Sequence, residues 1–170
     1  MKLKSEMIVA FAAIFVSLAT LLVYLYQARI MQNQLHTSVW PYVEWLYSNA
    51  ENQFVISVEN KGIGPAIVKE VVMKLDGSKV HGNAALFKNL LGKNNFDFIN
   101  STVEGRVILP GEKVEMVHVY DSAAAHAIDS LLLWDNSKHT FELEICYCSV
   151  YDDCWKTNGT KAIVSQCQDE

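Results

Sequence analysis

The chain has 170 residues, with 14 Lys and Arg against 19 Asp and Glu and a formal net charge of -5. That acidic balance repels both a nucleic-acid backbone and an anionic lipid face, so nucleic acid is set aside as a partner. Beyond an apolar N-terminus the length suits one hydrophobic core, and three prolines and eight glycines leave no room for a long flexible linker.

Residues 7–26, MIVAFAAIFVSLATLLVYLY, carry no charge. A helix rises about 1.5 Å per residue, so about 20 residues cross the ~30 Å hydrocarbon layer of a bilayer. The expectation is a single transmembrane helix in a lipid bilayer. Lys2 and Lys4 precede it and Arg29 is the nearby base after it. The positive-inside bias places residues 1–6 in the cytoplasm and the domain in the periplasm or otherwise outside. Ser17-Leu18-Ala19 also satisfies a small-x-small cleavage rule, but the apolar run continues from Thr20 to Tyr26, which favours a retained anchor over a cleaved signal peptide. Ala10, Ala13, Ser17 and Thr20 fall on one stripe of this helix. Such a stripe suits pairing with itself or with a partner subunit, although small residues are also common in membrane helices. Residues 27–39 read as a helical stalk that Pro41 ends.

From residue 40 the period becomes that of strands. Residues 41–48 are aromatic and β-branched, and 53–59 alternate Phe54, Ile56 and Val58 inward. The aromatics Trp40, Tyr42, Trp45 and Tyr47 divide between an interfacial belt and the core, Trp40 being the one expected to meet lipid or a partner. A turn through Asn60, Gly62, Gly64 and Pro65 follows, its glycines supplying positive φ, then a strand over 66–75 and a turn at Asp76-Gly77. A helix is expected over 83–91, with Asn83 as N-cap and Gly92 as stop. Residues 93–100 read as a polar loop with Phe96 and Phe98. Strands at 102–109 and 113–120 flank a turn carrying Pro110 and Gly111. A second helix runs from Asp121 or Ser122 to Leu133. A long strand covers 140–151, and a two-residue turn at Asp152-Asp153 leads to a last strand near 162–164. The expected fold is mainly β: an antiparallel sandwich over 40–170 with two short inserted helices.

The Asn60-x-Gly62-x-Gly64-Pro65-Ala66 turn and the Leu109-Pro110-Gly111-Glu112 turn resemble those of immunoglobulin-like β-sandwiches in bacterial surface proteins, of the cell-adhesion-related type. The order of apolar span, Gln-Ala-Arg stalk, Val39-Trp40-Pro41-Tyr42, that first turn and Tyr147-Cys148-Ser149-Val150-Tyr151 is similar to a family of single-pass bacterial membrane proteins without assigned function. The resemblance spans almost the whole chain. It implies an immunoglobulin-like fold at a bacterial membrane and brings no catalytic residues.

Four cysteines, Cys146, Cys148, Cys154 and Cys167, close the sequence. An even number in an extracytoplasmic domain points to disulfides, with three connectivities open. Cys148 with Cys154 and Cys146 with Cys167 is the first pairing considered. A two-residue turn at Asp152-Asp153 would set Cys148 opposite Thr157, which demands a bulge, so Cys154 with Cys167 is the next. Tetrathiolate zinc is the alternative in a reducing compartment, against which stands the absence of a C-x(2 to 4)-C knuckle.

No nucleophile elbow, P-loop, dinucleotide fingerprint or H-E-x-x-H helix occurs in the sequence. His36, His81, His118, His126 and His139 are scattered, and Glu142 and Glu144 are expected on a solvated sheet face. The chain is therefore expected not to be an enzyme and to need no cofactor. The leading expectation is a non-catalytic tethered binding or scaffolding subunit of an envelope assembly. A cytoplasm-facing effector or sensor of a stress or phage-defence system is the alternative.

Overall fold

A computed structural model describes residues 4–92, 97–132 and 139–167. Two compact units appear, Met1–Ser38 and Val39–Glu170. The first is one helix, α1 (Ser5–Ser38), of which no residue is buried. At 1.5 Å per residue it is roughly 50 Å long, which exceeds a bilayer core by several turns. Among the described residues it is the one helix long and apolar enough to cross a membrane. The Ser17 hydroxyl donates to the Ala13 carbonyl at 2.8 Å and that of Thr20 to Val16 at 2.7 Å. Both hydroxyls are thus satisfied within the helix, so neither brings an unpaired donor into an apolar medium.

Among the described residues the second unit contains ten strands in two antiparallel sheets. In chain order they are β1 (Val43–Ser48), β2 (Phe54–Asn60), β3 (Ala66–Leu75), β4 (Ser78–Val80), β5 (Phe98–Asn100), β6 (Val107–Ile108), β7 (Lys113–Val119), β8 (Phe141–Cys148), β9 (Cys154–Asn158) and β10 (Lys161–Val164). One sheet runs β1-β2-β7-β5, the other β10-β9-β8-β3-β4 with β6 also on β3. Helices α2 (Asn83–Leu91) and α3 (Ser122–Leu132) complete the unit. Helix takes 35% and strand 36% of the described residues, so the fold is mixed rather than mainly β, because α1 alone has 34 residues.

The core lies between the sheets. Phe54, Ile56 and Val58 enter it from β2, as their alternation requires, to meet Leu143, Ile145 and Tyr147 of β8 within one buried cluster. Helix α2 adds Leu86, Phe87 and Leu90, and α3 adds Ala125, Ile128 and Leu132, each set at helical spacing. Phe87 meets Phe98 edge to face at 4.9 Å.

Several expectations need correction. Asn83 does not cap α2: Gly82 holds the cap position without a side-chain bond, and Asn83 is buried. Residues 97–100 are not wholly loop, since Phe98–Asn100 pairs with β7, and within 102–109 only Val107–Ile108 is strand. The strand expected over 140–151 ends at Cys148. Phe96 and Leu133 lie outside the described residues. Asp121 does cap α3, its carboxylate accepting from the Ala124 N–H at 2.9 Å.

Candidate functional site

Three places gather the residues singled out from the sequence. The first is the turn after β2. Asn60 is fully buried, and its side chain makes four hydrogen bonds. Its amide donates to the carbonyls of Gly64 at 2.8 Å and Ile108 at 3.0 Å. Its oxygen accepts from the N–H groups of Tyr42 at 3.1 Å and Gly62 at 3.0 Å. That is the full capacity of a carboxamide, so the burial leaves nothing unpaired. The backbone of Asn60 is tied as well: the Gly111 N–H, at φ 76, donates to its carbonyl at 2.7 Å.

Here the expected role of two glycines changes. Neither Gly62 nor Gly64 has positive φ. They are required because the Trp40–Tyr42 backbone crosses Gly62 and the Val39 backbone crosses Gly64 so closely that a Cβ would overlap it. Pro65 is half-buried at the exit, and Pro110 is exposed in the turn where the Glu112 N–H donates to the Leu109 carbonyl at 3.0 Å. The cluster is a structural knot joining the chain's entry, both sheets and the Leu109–Glu112 turn. Beside it, Lys61 pairs with Glu44, a carboxylate almost wholly buried, and this bond raises the Lys61 pKa above its ordinary value.

The second place is the end of β8. The structure joins Cys146 to Cys167 and Cys148 to Cys154. The loop between β8 and β9 is Ser149–Asp153, not a two-residue turn, so Cys148 faces Cys154 directly across the ladder without a bulge. Ser149 builds that loop. Its buried hydroxyl accepts from the N–H groups of Tyr151 at 3.1 Å and Asp153 at 3.3 Å, and its own N–H donates to the Asp153 carbonyl at 2.8 Å. A serine placed two and four residues before the groups it binds is the signal that reading Asp152-Asp153 alone passes over. Cys146 and Cys148 alternate along β8 with the core residues Ile145 and Tyr147, yet both are buried, and each is bonded to a half-buried cysteine. The two bridges touch: the Cys148 and Cys167 sulfurs are 3.8 Å apart. Cys154 and Cys167 line a shallow depression with Asp152, Trp155 and Val164.

The third place is a cleft of about 360 Å³ at the edge shared by β3, β4, β5 and β7. Glu70, Met73, His81, Asn83, Asn100 and Met116 line it. The Asn83 amide donates to the Asn100 side-chain oxygen at 2.7 Å, while its own oxygen is buried without a partner. The amphipathic pattern over 83–91 marks Leu86, Phe87 and Leu90, whereas Asn83 stands out locally only as a candidate cap.

The remaining candidates lie apart. Trp40 is 45% exposed and Tyr47 48%, whereas Trp45 packs edge to face on Phe141 at 6.0 Å. His118 bonds Gln53 at 2.7 Å and Glu115 at 2.9 Å, and His139 bonds Asp76 at 2.7 Å. His126 bonds Asn52 at 3.1 Å. Glu142 and Glu144 pair with Lys74 and Lys156 at 3.9 and 3.0 Å. Ala10, Ala13, Ser17 and Thr20 are all exposed on α1. Compared with protein-family models, curated proteins and solved structures, the chain has no match.

Proposed function

We propose that this chain is a non-catalytic, membrane-anchored binding or scaffolding module, a subunit of a bacterial envelope assembly with its domain outside the cytoplasm. The observation that carries the reading is a helix with no buried residue and a charge-free stretch over 7–26, joined in sequence to a unit whose four cysteines form two bridges. An unburied apolar helix needs a lipid or protein environment, and paired cysteines persist where the compartment is oxidising. Two antiparallel sheets enclosing one core support the immunoglobulin-like reading of the domain.

Two surfaces serve the assembly in this proposal. On α1, Ala10, Ala13, Ser17 and Thr20 let a second helix approach closely. On the domain, β10 is an edge strand that exposes Ile163 and Val164, the latter 84% accessible, and an extended partner segment adds to such an edge. Fractionation followed by cross-linking in membranes tests the reading. The full chain is expected in the membrane pellet, resistant to alkaline carbonate and captured with a partner or a second copy. Recovery of the full chain in the soluble fraction contradicts it.

A further inference from the structure

We infer that the two bridges form one thiol–disulfide exchange unit, in which reduction of the Cys148–Cys154 bridge by a dithiol moves the C-terminal segment from Cys146 to Cys148. This goes beyond the anchoring reading and does not depend on it. The inference rests on how the four sulfurs are arranged. Cys148 and Cys146 are 3% and 1% exposed, while Cys154 and Cys167 are half-buried and border the surface depression. Each bridge thus has one sheltered and one accessible sulfur. The sheltered sulfur of one bridge, Cys148 Sγ, is 3.8 Å from the accessible sulfur of the other, Cys167 Sγ. The sulfurs of Cys148, Cys154 and Cys167 all lie within 4.8 Å of one another.

Exchange proceeds by thiolate attack on a disulfide sulfur, and access decides which sulfur is struck. An external dithiol reaches Cys154 Sγ through the depression. A bond forms between its thiolate and Cys154, the Cys148–Cys154 bond breaks, and Cys148 leaves as thiolate. That thiolate is already in contact with Cys167 Sγ. Its attack forms the Cys148–Cys167 bond, breaks Cys146–Cys167 and releases Cys146, which takes a proton from solvent. The second thiol of the reagent then displaces Cys154. One dithiol has become a disulfide, and the protein has exchanged two bridges for one bridge and two thiols. Lys156 lies opposite Cys146 in the ladder, with its ammonium paired to the Glu144 carboxylate at 3.0 Å.

The test uses the oxidised full chain in detergent, treated with limiting dithiothreitol, quenched by alkylation and mapped by peptide mass spectrometry. Label on Cys146 is expected to rise in step with label on Cys154, while Cys148 and Cys167 are recovered joined. Label on Cys148 and Cys154 together, with Cys146 still joined to Cys167, overturns the inference. So does loss of the Cys146–Cys167 bridge first. A Cys154→Ala variant starts the sequence without reductant and is expected to carry a Cys148–Cys167 bridge with Cys146 open to alkylation. Retention of Cys146–Cys167 in the folded variant contradicts the inference. Should that variant fail to fold, the experiment on the unaltered chain stands alone.

Discussion

The Asn60 amide donates to the carbonyl of Ile108 at 3.0 Å across 48 positions of sequence, and so ties the turn after β2 to the strand β6. Three other bonds from the same carboxamide hold Tyr42, Gly62 and Gly64. Replacing Asn60 by Leu strands four backbone groups where water has little access. Each costs about 1 to 3 kcal/mol when left unpaired, so a loss of at least about 3 kcal/mol is expected after partial relaxation. Denaturant unfolding of the detergent-solubilised chain measures it, and a loss below about 1 kcal/mol would show that water replaces the carboxamide.

Gly64 and Gly77 differ in why they are glycine. A Cβ on Gly64 runs into the Val39 backbone, whereas one on Gly77 meets nothing but sits at φ 77. Gly64→Ala must therefore displace the chain's entry to the domain, at an expected cost above about 2 kcal/mol. Gly77→Ala bears the left-handed backbone alone, roughly 1 kcal/mol. Equal costs in thermal unfolding would refute the assigned difference.

Tyr147 supplies a pH limb. Burial, partly opposed by the Val43 backbone, pushes its phenol from 10.0 up to about 12. The folded value is raised, so this group's contribution is fully present below pH 10.0 and is lost as pH climbs through about 12. Across that window stability falls by up to about 1.4 kcal/mol per pH unit from this group alone. In an ultraviolet titration one tyrosine of the folded chain is expected to ionise late. Tyr147→Phe removes that late step, and an unchanged titration would reassign it.

Much of this was legible, and what was not has a common cause. The alternation of Phe54, Ile56 and Val58 fixes a core face because burial on one side of a sheet imposes a period of two. β4, β5 and β6 have three, three and two residues, too few to show any period. The sequence spacing marks Asn60, Gly62 and Gly64 as a turn, but their bonds run to Ile108 and their steric need to Val39, neither of which is local. Asn83 has the residue type of a cap, yet its amide is taken by Asn100, 17 positions away. The cysteine pairing turned on Ser149, whose hydroxyl lengthens the loop and brings Cys148 opposite Cys154.

The small-residue stripe on α1 makes a separate prediction. Ser17→Leu adds bulk where a second helix must come close, and the Ser17 hydroxyl is bonded within its own helix, so the substitution leaves helix formation intact. Cross-linking between membrane helices is expected to drop severalfold with insertion unchanged. Cross-linking at the original level would move the contact to another face.

Labelling of the cysteines in intact cells bears most directly on the account. With a membrane-impermeant maleimide, no label is expected until an impermeant reductant is added outside, after which Cys146, Cys148, Cys154 and Cys167 become reactive. Immediate reaction with a permeant maleimide, and none with the impermeant one even after external reduction, would place the domain in the cytoplasm and contradict the account.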